Sequence, residues 1–408
     1  MTRRVFTGGQ VLDGTGSPAA PADIAVEGGR VVEVGSGLDG DESVDCTGAT
    51  LLPGLFDAHV HVMMSGVDTL RLLQTPFSYG FYEALHNLRR TLALGITSVR
   101  DAGGADLGVA QAVRDGLIAG PRMQIAISML SQTGGHGDGW HVCGSELPLM
   151  SPHPGRPRTI VDGADEMRRT VRQLLRAGAD VLKVATSGGV LSARDDPRHP
   201  HFRPAELDVL VEEANAAHVA VMAHAQGADG IKAAVRAGIR SIEHGIFLDD
   251  EAIELMLERG TWLVPTLAAP RAVLTAVAAG ASLPQSVIDK ARDVQAVHDE
   301  SVTKAVAAGG KVAMGTDSGV TPHGENLREL ELMVQCGMPP EKVLMATTKA
   351  AAELMRLDDE LGTIEPGKRA DLVVVDGDPF EFATLRERIM AVYKDGALVS
   401  APTAAVPV

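Results

Sequence analysis

Between residues 51 and 319 the chain repeats one pattern eight times: a short apolar run, then, in most cases, a longer stretch of helical period. The runs are LLPGLFDAHVHV (51–62), ITSVRDAGG (96–104), MQIAISMLSQ (123–132), ADVLKVATSGG (179–189), VAVMAHAQG (219–227), SIEHGIF (241–247), WLVPTL (262–267) and KVAMGTDSG (311–319). Strands separated by helices are joined by crossovers rather than hairpins, so they pair in parallel. In RPAELDVLVEEANAAH, Leu207, Leu210, Val211 and Ala214 fall on one face, the stripe a helix needs to cover a sheet. Parallel strands are buried on both sides. With aromatics at 3%, the core must be aliphatic. Eight such units over roughly 300 residues predict an α/β chain with a (β/α)8 TIM barrel.

The chain ends read differently. RVFTGGQVLDGTG, DIAVEGGRVVEVG and ESVDCTGATLLPG at the start, and LGTIEPGKRADLVVVDGDP and IMAVYKDGALVS near the close, are short strands with Gly and Asp turns. They predict a small discontinuous β-sandwich domain, residues 1–53 with 363–408, around a barrel domain of residues 54–362. The longest irregular segment expected runs from about 133 to 165, and long loops in compact domains often carry function.

The 53 acids and 37 bases leave a net charge of −16, which argues against nucleic acid or anionic membrane as a partner. No stretch approaches ~18 uninterrupted apolar residues, and MTRRVFTGGQVLDG has no apolar signal region. Cys46, Cys143 and Cys336 match no zinc knuckle or CxxC spacing and read as reduced thiols. The expectation is a cytoplasmic protein.

Polar residues interrupt the apolar runs. His59 and His61 lie two apart and face the same side of a strand. Lys183, His224, His244 and Asp317 sit in or at the ends of the fourth, fifth, sixth and eighth runs. Barrel enzymes carry their sites at the C-terminal ends of such strands. A buried lysine is costly unless its charge is removed or paired. Four imidazoles and a carboxylate suit zinc or another divalent first-row metal. A neutral lysine amine takes up carbon dioxide as a carbamate, an anionic ligand able to bridge two ions. Two ions sharing a hydroxide give a nucleophile near neutral pH and polarise an amide carbonyl. Asp317 suits a ligand that accepts the hydroxide's proton and passes it to the leaving nitrogen.

PGLFDAHVHV, Lys183, His224, IEHG at His244, GTDSG at Asp317 and the closing LGTIEPGKRADLVVVD together resemble the amidohydrolase superfamily of binuclear metal hydrolases, over essentially the whole chain. The resemblance implies a first metal on His59, His61 and Asp317, a second on His224 and His244, and a bridging N6-carboxylysine at Lys183, with zinc as the expected ion. TGGHGD, within SQTGGHGDGWH (131–141), resembles the branch of prolidase-like dipeptidases, Lys/Arg carboxypeptidases and ochratoxin-type amide hydrolases. There the loop histidine, here His136, would polarise the substrate carbonyl, with Asp138 and His141 behind it. Such relatives often show HAY where this chain has HAQG, so Gln226 replaces a tyrosine and dipeptide specificity does not carry over automatically.

The expected activity is hydrolysis of a small N-acyl amino acid or dipeptide-like amide (Xaa-Pro, Xaa-Arg/Lys or ochratoxin-like). The alternatives are a cyclic amidase or imidazolonepropionase-like hydrolase, a non-hydrolytic metal-binding barrel, and a deaminase, the last disfavoured by Lys183. Gln226, His323, Ser187 and Gly188 are expected substrate contacts, and Arg203, Arg271, His323, Arg156 and Arg158 candidate partners for a substrate carboxylate. Arg100 and Asp101 are expected to pair with each other, and His199 and His201 to lie in a solvent loop. The expected partner is a small-molecule amide, with room for a homo-oligomer.

Overall fold

The computed structural model describes residues 2–147 and 153–401. Residues 148–152 of the expected long loop, and both extreme ends of the expected β domain, lie outside the described residues.

The apolar runs form parallel strands in two sheets. Leu55–Val60, Ile96–Asp101 and Arg122–Ile125 make a three-stranded sheet. Met129–Leu130, Val181–Ala185, Ala220–Ala225, Ser241–His244, Trp262–Val264 and Lys311–Val312 make a six-stranded one. Every residue of Leu55–Val60, Ile96–Asp101, Val181–Ala185 and Ser241–His244 is buried, as strands covered on both faces must be. Helix Pro204–Ala216 buries Leu207, Leu210 and Ala214 and leaves Val211 half-buried.

Three runs are less regular than their sequences suggest. The first divides at Gly54 into Ala49–Pro53 and Leu55–Val60. The third divides around Ile127 (φ 66°) into Arg122–Ile125 and Met129–Leu130, which fall in different sheets. The eighth keeps regular pairing only at Lys311–Val312. Beyond it, Ala58 N donates to Met314 O (2.9 Å), Asp317 N to His59 O (2.8 Å) and His61 N to Ser318 O (2.6 Å). At the other seam, Asp180 N donates to Ile125 O (2.9 Å) and Ile125 N to Asp180 Oδ2 (3.0 Å). Hydrogen bonds therefore link the two sheets on both sides.

Segments from both chain ends share a sheet. Leu372–Asp376 lies antiparallel between Ile389–Lys394 and Ala49–Pro53, and Gln10–Val11 continues the sheet. A four-stranded sheet of Arg4–Thr7, Asp23–Glu27, Arg30–Gly35 and Glu42–Asp45 adds Phe6, Ile24 and Val26 to a core with Leu51, Leu372 and Tyr393. Arg122 ties this region to the parallel strands, donating to Asp371 (2.5 Å) and pairing with Asp395 (2.7 Å). Among the described residues no helix is long and apolar enough to cross a membrane.

Arg100 and Asp101 do not pair with each other. Adjacent residues on a strand point to opposite faces. Arg100 reaches Glu243 (3.0 Å) and Ala58 O (2.7 Å), whereas Asp101 accepts from the backbone N–H groups of Val62, Gly103 and Ala105. His199 is exposed, but His201 is buried, its N–H bonded to Thr186 O.

Gly54 marks the passage between the two regions. A Cβ there would lie 2.2 Å from Thr97 Oγ1 and 2.8 Å from Asp371 Cβ. Gly54→Ala is expected to destabilise the protein by roughly 1–3 kcal/mol through overpacking, read as a lower thermal midpoint. An unchanged midpoint would show that the seam yields.

Candidate active site

The six residues singled out on the runs converge on one cavity of about 430 Å³. Three imidazoles are held by their outer nitrogens. His59 Nδ1 lies 2.7 Å from Glu243 Oε2, His61 Nδ1 2.7 Å from Gly103 O, and His244 Nδ1 2.7 Å from Thr266 Oγ1. Each is thereby turned to present Nε2. Asp317 Oδ1 sits 3.2 Å from His61 Nε2 and 3.6 Å from His59 Nε2, and Lys183 Nζ lies 3.5 Å from His59 Nε2. Donor atoms of His59, His244 and Asp317 all lie within 4.8 Å of one another. The His224 ring is 4.6 Å from that of His244. Its Nε2 lies 3.1 Å from Gly188 O, which leaves Nδ1 for the cavity.

The electrostatics suit a cation. Burial pushes His59, His224 and His244 well below the usual imidazole range, reinforced by neighbouring Lys183, His136 and His59 respectively. Neutral imidazoles are the ligating form. Burial also pulls Lys183 down to about 8, against the opposing charges of Glu243 and Asp317. Burial alone would raise Asp317, but the His61 hydrogen bond and the charges of His59, His61 and Lys183 hold it at about 2. Nitrogen donors turned inward with a carboxylate beside them fit divalent metal ions. Two of these residues, His244 (φ 74°) and Asp317 (φ 55°), and the supporting Thr266 (φ 52°), have left-handed backbone, a strained state for side chains of this kind.

Residues that the runs did not single out hold this arrangement. Glu243 is fully buried, accepting from Arg100 (3.0 Å) and Ser241 Oγ (2.5 Å) while its other oxygen faces His59. Its only signal was an acid inside an apolar strand. Asp57 accepts from His59 N, Thr316 N and Oγ1, and Asn326 Nδ2. It therefore locks DAHVH to GTDSG.

His136 lies face to face with His224, ring centres 4.1 Å apart and 13° from parallel. Its Nδ1 is 2.8 Å from Ser192 Oγ, which in turn donates to Asp195. Asp195 accepts from Gly189 N (3.1 Å) and pairs with Lys290 (3.3 Å). Lys290, on helix Gln285–Ala307, also donates to the carbonyls of Gly189, Ser192 and Asp195. It straps the loop to the helix. A Cβ on Gly189 would lie 2.3 Å from the His136 ring, so only glycine allows this approach. Burial pulls His136 down to about 4.

The expected substrate contacts divide. Gln226 lines the cavity, and its buried Oε1 has no hydrogen-bond partner among the described residues. Ser187 and Gly188 stand behind the lining. Ser187 Oγ donates to Gly188 O and accepts from Gln226 N, each at 2.8 Å, so the pair positions Gln226. His323 is buried away from the lining, with Nε2 3.2 Å from both His61 O and Met64 O, where it pins the turn after His61. Asp138 lines the cavity and accepts from Gly134 N and Trp140 N, and His141 lines an adjoining hollow. Arg271 is engaged by Leu267 O and Asp299, and Arg203 lines a separate surface hollow. Arg156 and Arg158 line the cavity itself.

The amidohydrolase family model matches residues 50–400. Ochratoxinase of Aspergillus niger is 34% identical to this chain, over 98% of it and 87% of the relative. The crystal structure of that enzyme superposes with a TM-score of 0.85 at 32% identity, covering 98% of this chain and 96% of the other. A Xaa-Pro dipeptidase structure with bound methionine superposes with a TM-score of 0.89 at 34% identity, covering 97% and 99%. An imidazolonepropionase of Rhizorhabdus wittichii is more distant, at 27% identity over 86% of this chain and 87% of the relative.

Glu243→Ala leaves the Arg100 charge uncompensated in the core and is expected to cost roughly 3–5 kcal/mol, read by urea unfolding. Glu243→Gln keeps the shape and should cost less. Equal midpoints for the wild type and Glu243→Ala would show that the ion pair adds nothing.

Proposed function

We propose, from the premise that this chain belongs to the amidohydrolase family, that it is a binuclear metal-dependent hydrolase of small N-acyl amino acids or dipeptide-like amides. That it is a hydrolase of C–N bonds follows from the family and from its ochratoxinase and dipeptidase relatives. The observation that carries the finer reading is the convergence of His59, His61, His244 and Asp317 on one space, with Lys183 beside His59 and His224 beside His244. We read the two parallel sheets as arcs of one closed (β/α)8 barrel (residues 54–362), supported by the hydrogen bonds at both seams. Residues 1–53 with 363–408 make the small β domain, supported by the sheet they share.

His59, His61 and Asp317 would hold one ion, His224 and His244 the other, with Lys183 as a carbamate between them. Zinc is the ion that a nitrogen-rich set favours. When bound, such ions lower the pKa of a water and polarise the amide carbonyl. Lys183, near 8, keeps a fraction of its amine neutral at physiological pH, and only that form takes up carbon dioxide. Asp317 starts ionised, accepts the proton of the attacking water and delivers it to the leaving nitrogen. To polarise the carbonyl oxygen His136 would donate from Nε2, which the neutral ring can do when the Ser192 hydroxyl turns to donate to its Nδ1. Gln226 offers a carboxamide with an open acceptor, and Arg156, which lines the cavity while donating to Gly104 O, would meet the substrate carboxylate. The ring-amide alternative is supported chiefly by the match at 27% identity and ranks second.

The test is elemental analysis beside an amine-release screen of Xaa-Pro, Xaa-Arg, Xaa-Lys and N-acyl amino acids. Two metals per chain with turnover of one class are expected. Lys183→Ala should lose metal and activity together; if it kept both ions and full activity, the bridging role would be wrong. Asp317→Asn should lower kcat by about 10²–10⁴-fold, and an unchanged kcat would remove the proton shuttle.

A further inference from the structure

Helix Gln285–Ala307 supplies donors to four carbonyls of the segment from Gly189 to Asp195. Ser286 Oγ donates to Ala193 O (2.9 Å), and Lys290 Nζ to Gly189 O (2.6 Å), Ser192 O and Asp195 O (3.1 Å). Lys290 Nζ also donates to Asp195 Oδ1 at 3.3 Å. An ammonium has three protons, so these oxygens occupy it entirely inside the protein. Its side chain is only 16% exposed, and burial lowers its pKa against the pull of Asp195. A charge withdrawn from water persists only where such partners compensate it. The same helix face continues toward the strand ends, because Lys290, Val294, His298 and Ser301 recur at helical spacing. There His298 Nε2 donates to His244 O (2.8 Å) and Ser301 Oγ to Ile246 O (2.6 Å). One helix thus holds both the loop beside His136 and the end of the strand that carries His244.

What the loop does for His136 turns on one oxygen. Asp195 Oδ1 accepts from both Ser192 Oγ and Lys290 Nζ, and Ser192 Oγ lies 2.8 Å from His136 Nδ1. While Ser192 donates to Asp195, its oxygen can only accept from His136 Nδ1, and the neutral ring then has a bare Nε2. A ring that polarises a carbonyl needs the opposite tautomer, with the proton on Nε2 and Ser192 donating to Nδ1. That turn of the hydroxyl takes one donor away from Asp195 Oδ1, and Lys290 is the donor that stays. We propose that Lys290 is a positioning residue for amide hydrolysis: by keeping Asp195 Oδ1 satisfied it frees Ser192 to donate to His136, and so sets the tautomer and direction of that ring at the substrate carbonyl. This rests on the amide-hydrolase reading above, with His136 as the partner of the carbonyl. Both tautomers of the neutral ring hold one proton, so the choice between them changes no charge.

The experiment uses the metal-loaded enzyme and the N-acyl amino acid or dipeptide turned over fastest in the amine-release screen. Lys290→Met, which keeps the length and removes every donor, is compared with His136→Ala and with the two combined. Elemental analysis and a thermal midpoint accompany each variant. His136→Ala is expected to lower kcat by about 10²–10³-fold, the usual loss for one donor to a developing oxyanion. Lys290→Met should lower kcat by at least about tenfold, with KM changed by less than about twofold and metal content unchanged. In the His136→Ala background it should add no further loss, which a purely structural strap would not produce. Should Lys290→Met fail to fold, Lys290→Gln carries the same test, because it keeps donors for the carbonyls without the charge beside Asp195. Losses that multiply in the double variant, an unchanged kcat in the folded lysine variant, a loss confined to KM, or a kcat that falls only in step with metal content would each overturn the proposal. An unchanged kcat in His136→Ala would remove His136 from the mechanism and Lys290 with it. A wild-type enzyme that turns over no amide would remove the amide-hydrolase reading itself.

Discussion

Glu243 carries its carboxylate on the six-stranded sheet with no contact with water, and both of its oxygens are committed. One faces Arg100, which comes from the three-stranded sheet; the other faces His59. A buried charge is tolerated only when it is paired and hydrogen-bonded, so the two sheets must meet in the register that brings Arg100 and Glu243 together. A slip of one residue in either strand would turn that strand's side chain to the wrong face and leave the other charge unpaired. The same contact fixes the ring of His59, and through it the direction of the nitrogen that faces Asp317 and Lys183. Register, sheet junction and site geometry thus share one ion pair.

The groups around it are arranged so that protons compete little at three of the four imidazoles; only His61, hydrogen-bonded to Asp317, is raised. Burial makes the imidazolium forms of His59, His224 and His244 unfavourable, and a dense positive neighbourhood does the same. Asp317 is kept ionised by that same neighbourhood. A cavity with three imidazoles held neutral and one low-lying carboxylate is preorganised for cations, because little reorganisation is needed on binding.

Much of this was legible in the sequence, and for local reasons. The period of two in a strand foretold that His59 and His61, the latter one residue past Val60, would meet one cavity, and Lys183, His224 and His244 stand out because polar residues are rare in doubly covered strands. What was not legible depends on distant partners. Nothing in SGGVLSARDD reveals that Asp195 meets Lys290, 95 positions away. Arg100 and Asp101 looked like partners by adjacency, yet pleating sends them apart. Ser187, Gly188 and His323 were read as substrate contacts from their closeness to ligand-bearing runs; in space they support the lining from behind. The breaks at Gly54 and Ile127 turn on backbone geometry, which apolar patterning does not encode.

The left-handed backbone at His244, Thr266 and Asp317 has an evolutionary consequence. Conformational strain of this kind typically amounts to about 1–3 kcal/mol per residue. A glycine at any of these positions would relax the chain and delete the functional group in one step. Stability and chemistry therefore pull in opposite directions at the strand ends. A lineage drifting without selection for turnover should lose these side chains early while keeping the scaffold, leaving behind well-folded, inert descendants.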